Sequence, residues 1–309
     1  MPDEPVNEVR HVPVLVDQVV ELLAVQPGDT VLDCTVGLAG HAGRLARSAG
    51  ERGMLIGMDV DPAALSAAAE RLEGLSTPWR LFQANFTQIA ETLDEVGIGQ
   101  VDVVLADLGA SSLQFDDPER GFSFQADGPL DMRMDDRLED TAADLVNRLD
   151  QSALADILYF NAQERKSRRI ARAIHRARRA ERITTTARLA AIVCAALRTD
   201  PASRKSRIHP ATRTFQALRI AVNQELAALK QLLDILPAYL APGGRVGVIS
   251  FHSLEDAVVK RDFLARRGEG IYDIVTKKPM TPDEKELRSN PRSRSAKFRV
   301  ARRTRQPVA

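Results

Sequence analysis

The sequence predicts an α/β fold: a mostly parallel sheet covered on both faces and interrupted by an all-helical insertion. Three observations carry this reading. Short apolar runs alternate with segments of helical spacing from residue 16 to residue 112. The runs, such as "VDVVLADL" at 101–108, are nearly all apolar until a closing acid, as strands buried on both faces are. Residues 113–212 then offer loop and helix without a strand candidate, before "RVGVIS" at 245–250 resumes the pattern.

Taken in order, Val16 to Val25 has helical spacing and is stopped by Pro27-Gly28-Asp29. "TVLDCT" reads as the first buried strand, and "HAGRLARSAG" as a helix ending near Gly50. "GMLIGMDVD" is a second strand, followed by a helix that has Pro62 in its first turn, where a missing N–H costs nothing. "WRLFQANF" and "VDVVLADLGASS" are the third and fourth strands. "LQFDDPERGFSFQADGPLDMRMD" is loop-like, and Thr141 to about Leu197 reads as several helices. Phe215, Leu218, Val222, Leu226, Leu229 and Leu233 recur at three- and four-residue steps and predict one long helix over Thr212 to Leu236. After the fifth strand, "YDIVTKKPM" and "AKFRVARR" alternate apolar with polar and predict an antiparallel pair. The domains expected are therefore a discontinuous one, 1–112 with 213–309, and an inserted one, 113–212.

Composition bounds the function. The net charge of +1 excludes a global polyelectrolyte, yet the charges are segregated. Asn161 to Ile220 holds 16 Lys/Arg against 3 Asp/Glu, and Arg288 to Arg305 holds 8 and no acid. Asp102 to Asp156 is the reverse, strongly acidic. Basic blocks of this kind suit a polyanion, or are simply solvated helix faces. Cys34 and Cys194 are too few for a disulfide framework and have no zinc-site spacing, so no metal is expected. The polar N-terminus lacks the form of a signal peptide, and no apolar run reaches the ~20 residues that span a bilayer. A soluble, cytoplasmic protein without a membrane partner is expected.

The first strand ends in Asp33 and runs into a loop with Gly37, Gly40 and Gly43. A dinucleotide site wants Gly-x-Gly-x-x-Gly, so that a pyrophosphate can reach the helix N-terminus. This spacing differs, and Asp33 would repel a pyrophosphate. The acid suits a cofactor carrying positive charge, such as the ammonium of S-adenosylmethionine. Asp59 ends the second strand, where a carboxylate accepts ribose hydroxyls. Asp107 ends the fourth, at the carboxyl edge where open α/β sheets bind ligands. The alternative is purely local: a tight turn with glycines at positive φ, and Asp33 and Asp107 as helix or turn caps.

Several segments together resemble the bacterial 16S rRNA (cytosine-N4)-methyltransferase family. They include "HVPVL" (11–15), "GLAGH" (37–41), "MDVDP" (58–62), "DLGASS" (107–112), "RGFSF" (120–124) and "GPLDMRMD" (128–135). They continue with "RRIARAI" (168–174), "HPATRTFQALRIAVNQEL" (209–226), "LAPGGRVGVISFHSLED" (240–256) and "NPRSRSAKFRVA" (290–301). The resemblance covers essentially the whole chain. It implies a class I, Rossmann-like methyltransferase fold with a helical, substrate-recognising insertion. It also implies methyl transfer from S-adenosylmethionine to the exocyclic amine of one cytidine in the decoding region, on the small ribosomal subunit. It allows a homodimer. Residue by residue, it implies cofactor contacts at Asp33, Gly37, Ala39, Gly40 and His41, at Asp59 on the ribose, at Phe86 near the adenine, and at Asp107 and Gln114 around the methionine end. Asp107 is the catalytic candidate; Arg133, His209, Arg213 and His252 are the substrate candidates. The chain departs from the family at Ala39, where glycine is usual, and at Cys34. It departs again at Ala162-Gln163-Glu164, where the family has "GEE", and at Lys166, where it has an aromatic.

Cytosine N4 is a weak nucleophile because its lone pair is delocalised into the ring. An acceptor that draws on its N–H bonds helps by alignment and by taking a proton, and Asp107 or a carbonyl just after it fits that role. The target base must be unstacked to reach it. Phe122 and Phe124 could stack a base, though packing of an ordered loop is the simpler role. Two other readings stay open on residues alone: an amino-methyltransferase acting on another nucleic acid or a small molecule, and a non-catalytic small-subunit assembly factor. The absence of the double proline common after the fourth-strand acid of amino-methyltransferases, and the basic insertion, weigh against the first.

Overall fold

The computed structural model describes residues 13–199 and 209–305. The N-terminal segment discussed above and part of the basic block, residues 200–208, lie outside the described residues. The chain divides into two compact units, Met1–Gly109 with Leu229–Ala309, and Ala110–Ala228.

In the first unit, helix α1 (Val16–Leu23) precedes a regular alternation: β1 (Thr30–Asp33), α2 (Gly40–Ala49), β2 (Met54–Asp59), α3 (Pro62–Leu72), β3 (Trp79–Gln83), α4 (Ile89–Val96) and β4 (Val101–Asp107). The second unit carries α5 (Ser112–Asp116), α6 (Ala142–Arg148), α7 (Gln151–Ala162), α8 (Ser167–Ala177), α9 (Thr186–Leu197) and α10 (Thr212–Val222). Helix α11 (Glu225–Tyr239) returns the chain to the first unit. There β5 (Leu240–Ser250), α12 (Ser253–Gly268), β6 (Tyr272–Ile274), α13 (Glu284–Ser289) and β7 (Lys297–Arg303) complete the sheet.

The seven strands lie in the order β3-β2-β1-β4-β5-β7-β6. The first five pair in parallel, and β7 runs antiparallel to both β5 and β6. The central strands β1, β2 and β4 are largely apolar because both faces are buried. Val31, Leu55, Val103, Leu105 and Ile249 meet α1, α2 and α3 on one side. Leu32, Ile56, Val104, Ala106 and Val248 meet α4, α11 and α12 on the other. The strand order reverses between β1 and β4, so Asp33 and Asp107 end neighbouring strands at the switch point.

The helical unit has its own core, from Leu130 and Met132 through Leu158, Ile170 and Val193 to Phe215 and Leu218. Local chemistry starts its helices. Thr141 and Asp144 form a reciprocal capping box on α6, Asp150 caps α7, and Thr185 caps α9. Packing of α10 on α6 and α7 places the division at Ala110 and Ala228 rather than at 113 and 212.

The single helix expected over 212–236 is two helices. Gln224 has φ 50 and breaks the ladder, although the apolar periodicity runs through the break. Asn223 explains the interruption. Its Oδ1 accepts from Met134 N at 2.7 Å, and its Nδ2 donates to Met132 O at 2.8 Å. The amide thus holds the "LDMRMD" loop. Short helices in stretches read as loop, α5 and α13, also went unpredicted because too few residues repeat to show a period.

Candidate active site

The glycine loop is held from three sides. Gly37, at φ 49, donates its N–H to Asp59 Oδ2 at 2.9 Å, tying the loop to the end of β2. Thr35 Oγ1 accepts from Asp107 N at 2.7 Å and ties it to β4. Pro13 lies over Gly40, where an added Cβ would sit 2.2 Å from the proline Cγ. This contact explains why Pro13 belongs with the loop. Ala39 precedes α2 at φ 54, in the left-handed region, with its methyl buried. That conformation is why glycine suits this position. No side chain caps α2, so Asp33 is not its cap. Asp33 instead accepts from Thr35 N at 3.1 Å.

His41 is buried on α2. Its Nε2 lies 2.8 Å from Val14 O. A carbonyl only accepts, so Nε2 carries a proton. Nδ1 stands 3.6 Å from Asp107 Oδ2. The other oxygen, Asp107 Oδ1, is buried without a hydrogen-bond partner among the described residues. The local reading of Asp107 as a simple turn cap does not account for that oxygen.

The site is electrostatically loaded. Burial, then the nearby charges of Asp33 and Glu255, hold the Asp107 carboxyl well above the usual carboxylate range. Burial pushes Asp33 up to about 7 despite the Thr35 hydrogen bond. Asp59 is also raised, chiefly by burial and against hydrogen bonds from Asp61 and Gly37. Buried carboxylates left without a cation are what a positively charged ligand satisfies. An orphaned acid oxygen, an uncapped helix start and a loop whose glycine has no room for a side chain fit S-adenosylmethionine.

The remaining candidates are placed as follows. Phe86 follows β3 in the 3₁₀ turn Phe86–Gln88 and packs partly into the core. Cys34 is a buried free thiol whose pKa burial pushes up, as befits a core residue. His252 caps α12: its Nδ1 accepts from Glu255 N, and its Nε2 lies 3.1 Å from Glu255 Oε1. Glu255 Oε2 in turn accepts from Phe251 N at 2.9 Å. In the helical unit, Gln114 is buried in a capping box with Ser111. The Arg133 guanidinium grips Asp131 through two nitrogens and reaches Leu138 O. His209 stacks on Phe124 with centroids 4.5 Å apart, and its Nδ1 accepts from Ala211 N. Phe124 itself meets Phe215, and Phe122 is buried, so both serve the core. Arg213 is exposed and has no ion-pair partner among the described residues.

Sequence reasoning missed Thr35, Glu255 and the Pro13–Val14 segment. Their motifs are visible, but the contacts they make join positions far apart in the chain.

The model of the MraW methylase family matches residues 8–304. The chain belongs to this family. The family resemblance read from the sequence is thereby borne out, as is a methyltransferase fold. Among curated relatives, "Ribosomal RNA small subunit methyltransferase H" of Acidobacterium capsulatum is 51% identical over 297 residues, 94% of this chain and 98% of the relative. The proteins of the same name from Koribacter versatilis and Solidesulfovibrio magneticus are 47% and 48% identical, covering 96% and 95% of this chain and 95% of each relative. As a MraW methylase the protein is an enzyme, and S-adenosylmethionine is its methyl donor. Among the described residues no helix is long and apolar enough to cross a membrane.

Proposed function

We propose that the protein methylates the exocyclic N4 amine of a cytidine in the decoding region of 16S rRNA, acting on the small ribosomal subunit. The names of its relatives support the RNA and the subunit. The observation that carries the chemistry is Asp107. It ends β4 at the switch point, with one buried oxygen unpartnered among the described residues and the other 3.6 Å from His41 Nδ1.

S-adenosylmethionine, when bound, supplies a methyl group already activated on a sulfonium. Asp33 and Asp107 offer negative charge to its cationic end, Asp59 accepts from the ribose, and Phe86 covers the adenine. The backbone of Gly37, Ala39, Gly40 and His41 shapes the loop around it. The protein's further work is on the acceptor amine. Asp107 accepts an N–H of cytosine and aligns the lone pair. As N4 gains its C–N bond it loses one N–H proton, which passes to the Asp107 carboxylate. His41 Nδ1 is the next acceptor, and Val14 O steadies the ring from the other side. General-base assistance of this kind contributes roughly 10²–10⁴ in rate.

Of the substrate candidates, Arg213 has the geometry that supports RNA contact, since Arg133, His209 and His252 are engaged in holding loops and a helix start. A dimer is compatible with this reading and adds nothing to it.

The test is methyl transfer from labelled S-adenosylmethionine to unmodified small subunits, naked small-subunit rRNA and large subunits, with the product nucleotide identified by mass. Label on one cytidine N4 in small subunits is expected. Asp107→Ala should abolish it while leaving subunit binding intact. Label on a different atom, or none with the cofactor bound, would overturn the proposal.

A further inference from the structure

Arginines in the helical unit fall into two sets. Those of the acidic stretch are paired, Arg133 with Asp131, Arg137 with Asp135 and Arg148 with Asp140, and Arg182 of the basic block meets Asp144. The second basic block, in the other unit, is also partly neutralised, since Lys297 and Arg299 share Asp256 and Arg302 meets Asp273. The second set differs. Arg165, Lys166, Arg168, Arg169, Arg172 and Arg176 are exposed, and none has an ion-pair partner among the described residues. Four of them form an i, i+1, i+4, i+8 stripe on α8, a helix without any acid.

The segment just before this stripe breaks another rule. Tyr159 and Phe160, at the end of α7, are 52% and 65% exposed. Their rings meet edge to face, with centroids 5.3 Å apart at 80°. A contiguous apolar patch left in water, rimmed by polar residues, marks an interaction surface. One acid, Asp156, lies on the same exposed stripe of α7. Gln163, at φ 52, ends α7, and the turn that follows presents Arg165 and Lys166. The aromatic pair and the cations are thus joined by one short turn, and α7 packs against α8.

We propose that this α7–α8 edge is a contact surface for single-stranded RNA, with Tyr159 and Phe160 stacking unpaired bases and the α8 stripe holding the phosphates. The proposal rests on the reading of the substrate as rRNA. An aromatic face accepts any base, while unpaired arginines bind the backbone without reading sequence. Charge complementarity selects this occupant. In a two-fold pairing with a second copy, the same patch meets itself, and an uncompensated cationic stripe would face its like. The surface would set affinity for RNA, not chemistry.

The test uses the full-length enzyme and two probes, small-subunit rRNA for binding and unmodified small subunits for methyl transfer. Tyr159→Ala with Phe160→Ala is expected to raise KM for subunits roughly tenfold or more, with kcat and S-adenosylmethionine affinity unchanged. Phe160→Trp, which keeps a ring, should stay near wild type. Arg168→Gln, Arg169→Gln and Arg172→Gln combined should weaken RNA binding and flatten its salt dependence by about two in the log–log slope. Unchanged KM and salt slope, in variants whose wild-type parent methylates subunits, would overturn the surface while leaving the reaction intact. A wild type that binds rRNA through these residues but methylates nothing would leave the surface and remove the reaction. A monomeric aromatic variant of a dimeric parent, with unaltered RNA affinity, would reassign the patch to self-association and overturn the proposal.

Discussion

Asp33→Asn tests the electrostatic reading of the cofactor site. Asp33 is 2% exposed, and burial raises its carboxyl from 3.8 to about 7. A carboxyl raised in the fold stabilises the protein where both states are protonated, and that stability is lost as pH rises toward the folded value. The displacement corresponds to roughly 4 kcal/mol in full. About 2–3 kcal/mol of it falls between pH 5 and pH 8. Asparagine keeps an acceptor for Thr35 N and carries no charge. The assay is urea unfolding of the cofactor-free protein at half-unit steps across that range, wild type against variant. The wild type should lose stability relative to Asp33→Asn as pH rises. Cofactor affinity should show the converse: in the wild type it strengthens with pH as Asp33 ionises to meet a cation, and in the variant it is weak and flat. Parallel stability curves, or an unaltered pH dependence of binding, would refute the argument.

Three further outcomes follow from the same geometry. Gly40→Ala drives a methyl into Pro13 and should cost about 1–3 kcal/mol, with loss of cofactor binding, read by thermal unfolding and calorimetry. Ala39→Gly relieves a left-handed residue but deletes a buried methyl. The two terms, each on the order of 1 kcal/mol, should leave stability within about 1 kcal/mol of the parent, and a larger loss would show that the methyl packs better than its backbone strains. Glu255→Gln removes a negative neighbour of Asp107 and keeps one acceptor oxygen for Phe251 N. The acid limb of the pH–rate profile should move to lower pH, and a limb that stays put would separate Glu255 from the Asp107 titration.

What the sequence made legible was whatever depends on neighbours in the chain. Continuous apolar runs located the five parallel strands, and period-two alternation located the closing antiparallel pair. Asp33, Asp59 and Asp107 stood out because each ends such a run. The geometry between them was not legible. Asp107 owes its environment to Thr35, His41 and Glu255, which lie up to 148 positions away and are brought in by strand order. The break at Gln224 was hidden for a related reason: Asn223 is held by Met132 and Met134, while its own neighbours keep a helical period. The arginines show the limit of counting charges. Composition joined Arg178 and Arg219 to one basic block, yet Arg219 grips Glu225 and Arg178 donates to the carbonyls of Val146 and Leu149, so the free cations are a narrower group.

The discontinuous sheet has a consequence for how the protein is made. Strands β4 and β5 are hydrogen-bonded neighbours, and the whole helical unit lies between them in the chain. A nascent chain emerging from its N-terminus exposes Asp33, Asp59 and Asp107 early. It cannot give β4 its second neighbour until β5 has been synthesised, nor β5 its own until β7 arrives near the end. Meanwhile the helices of the middle segment can bury their own core. Long-range strand pairing of this order is slow and leaves an apolar edge open to misassociation. A truncated product would therefore carry every acid of the switch point and still lack the walls that keep them buried.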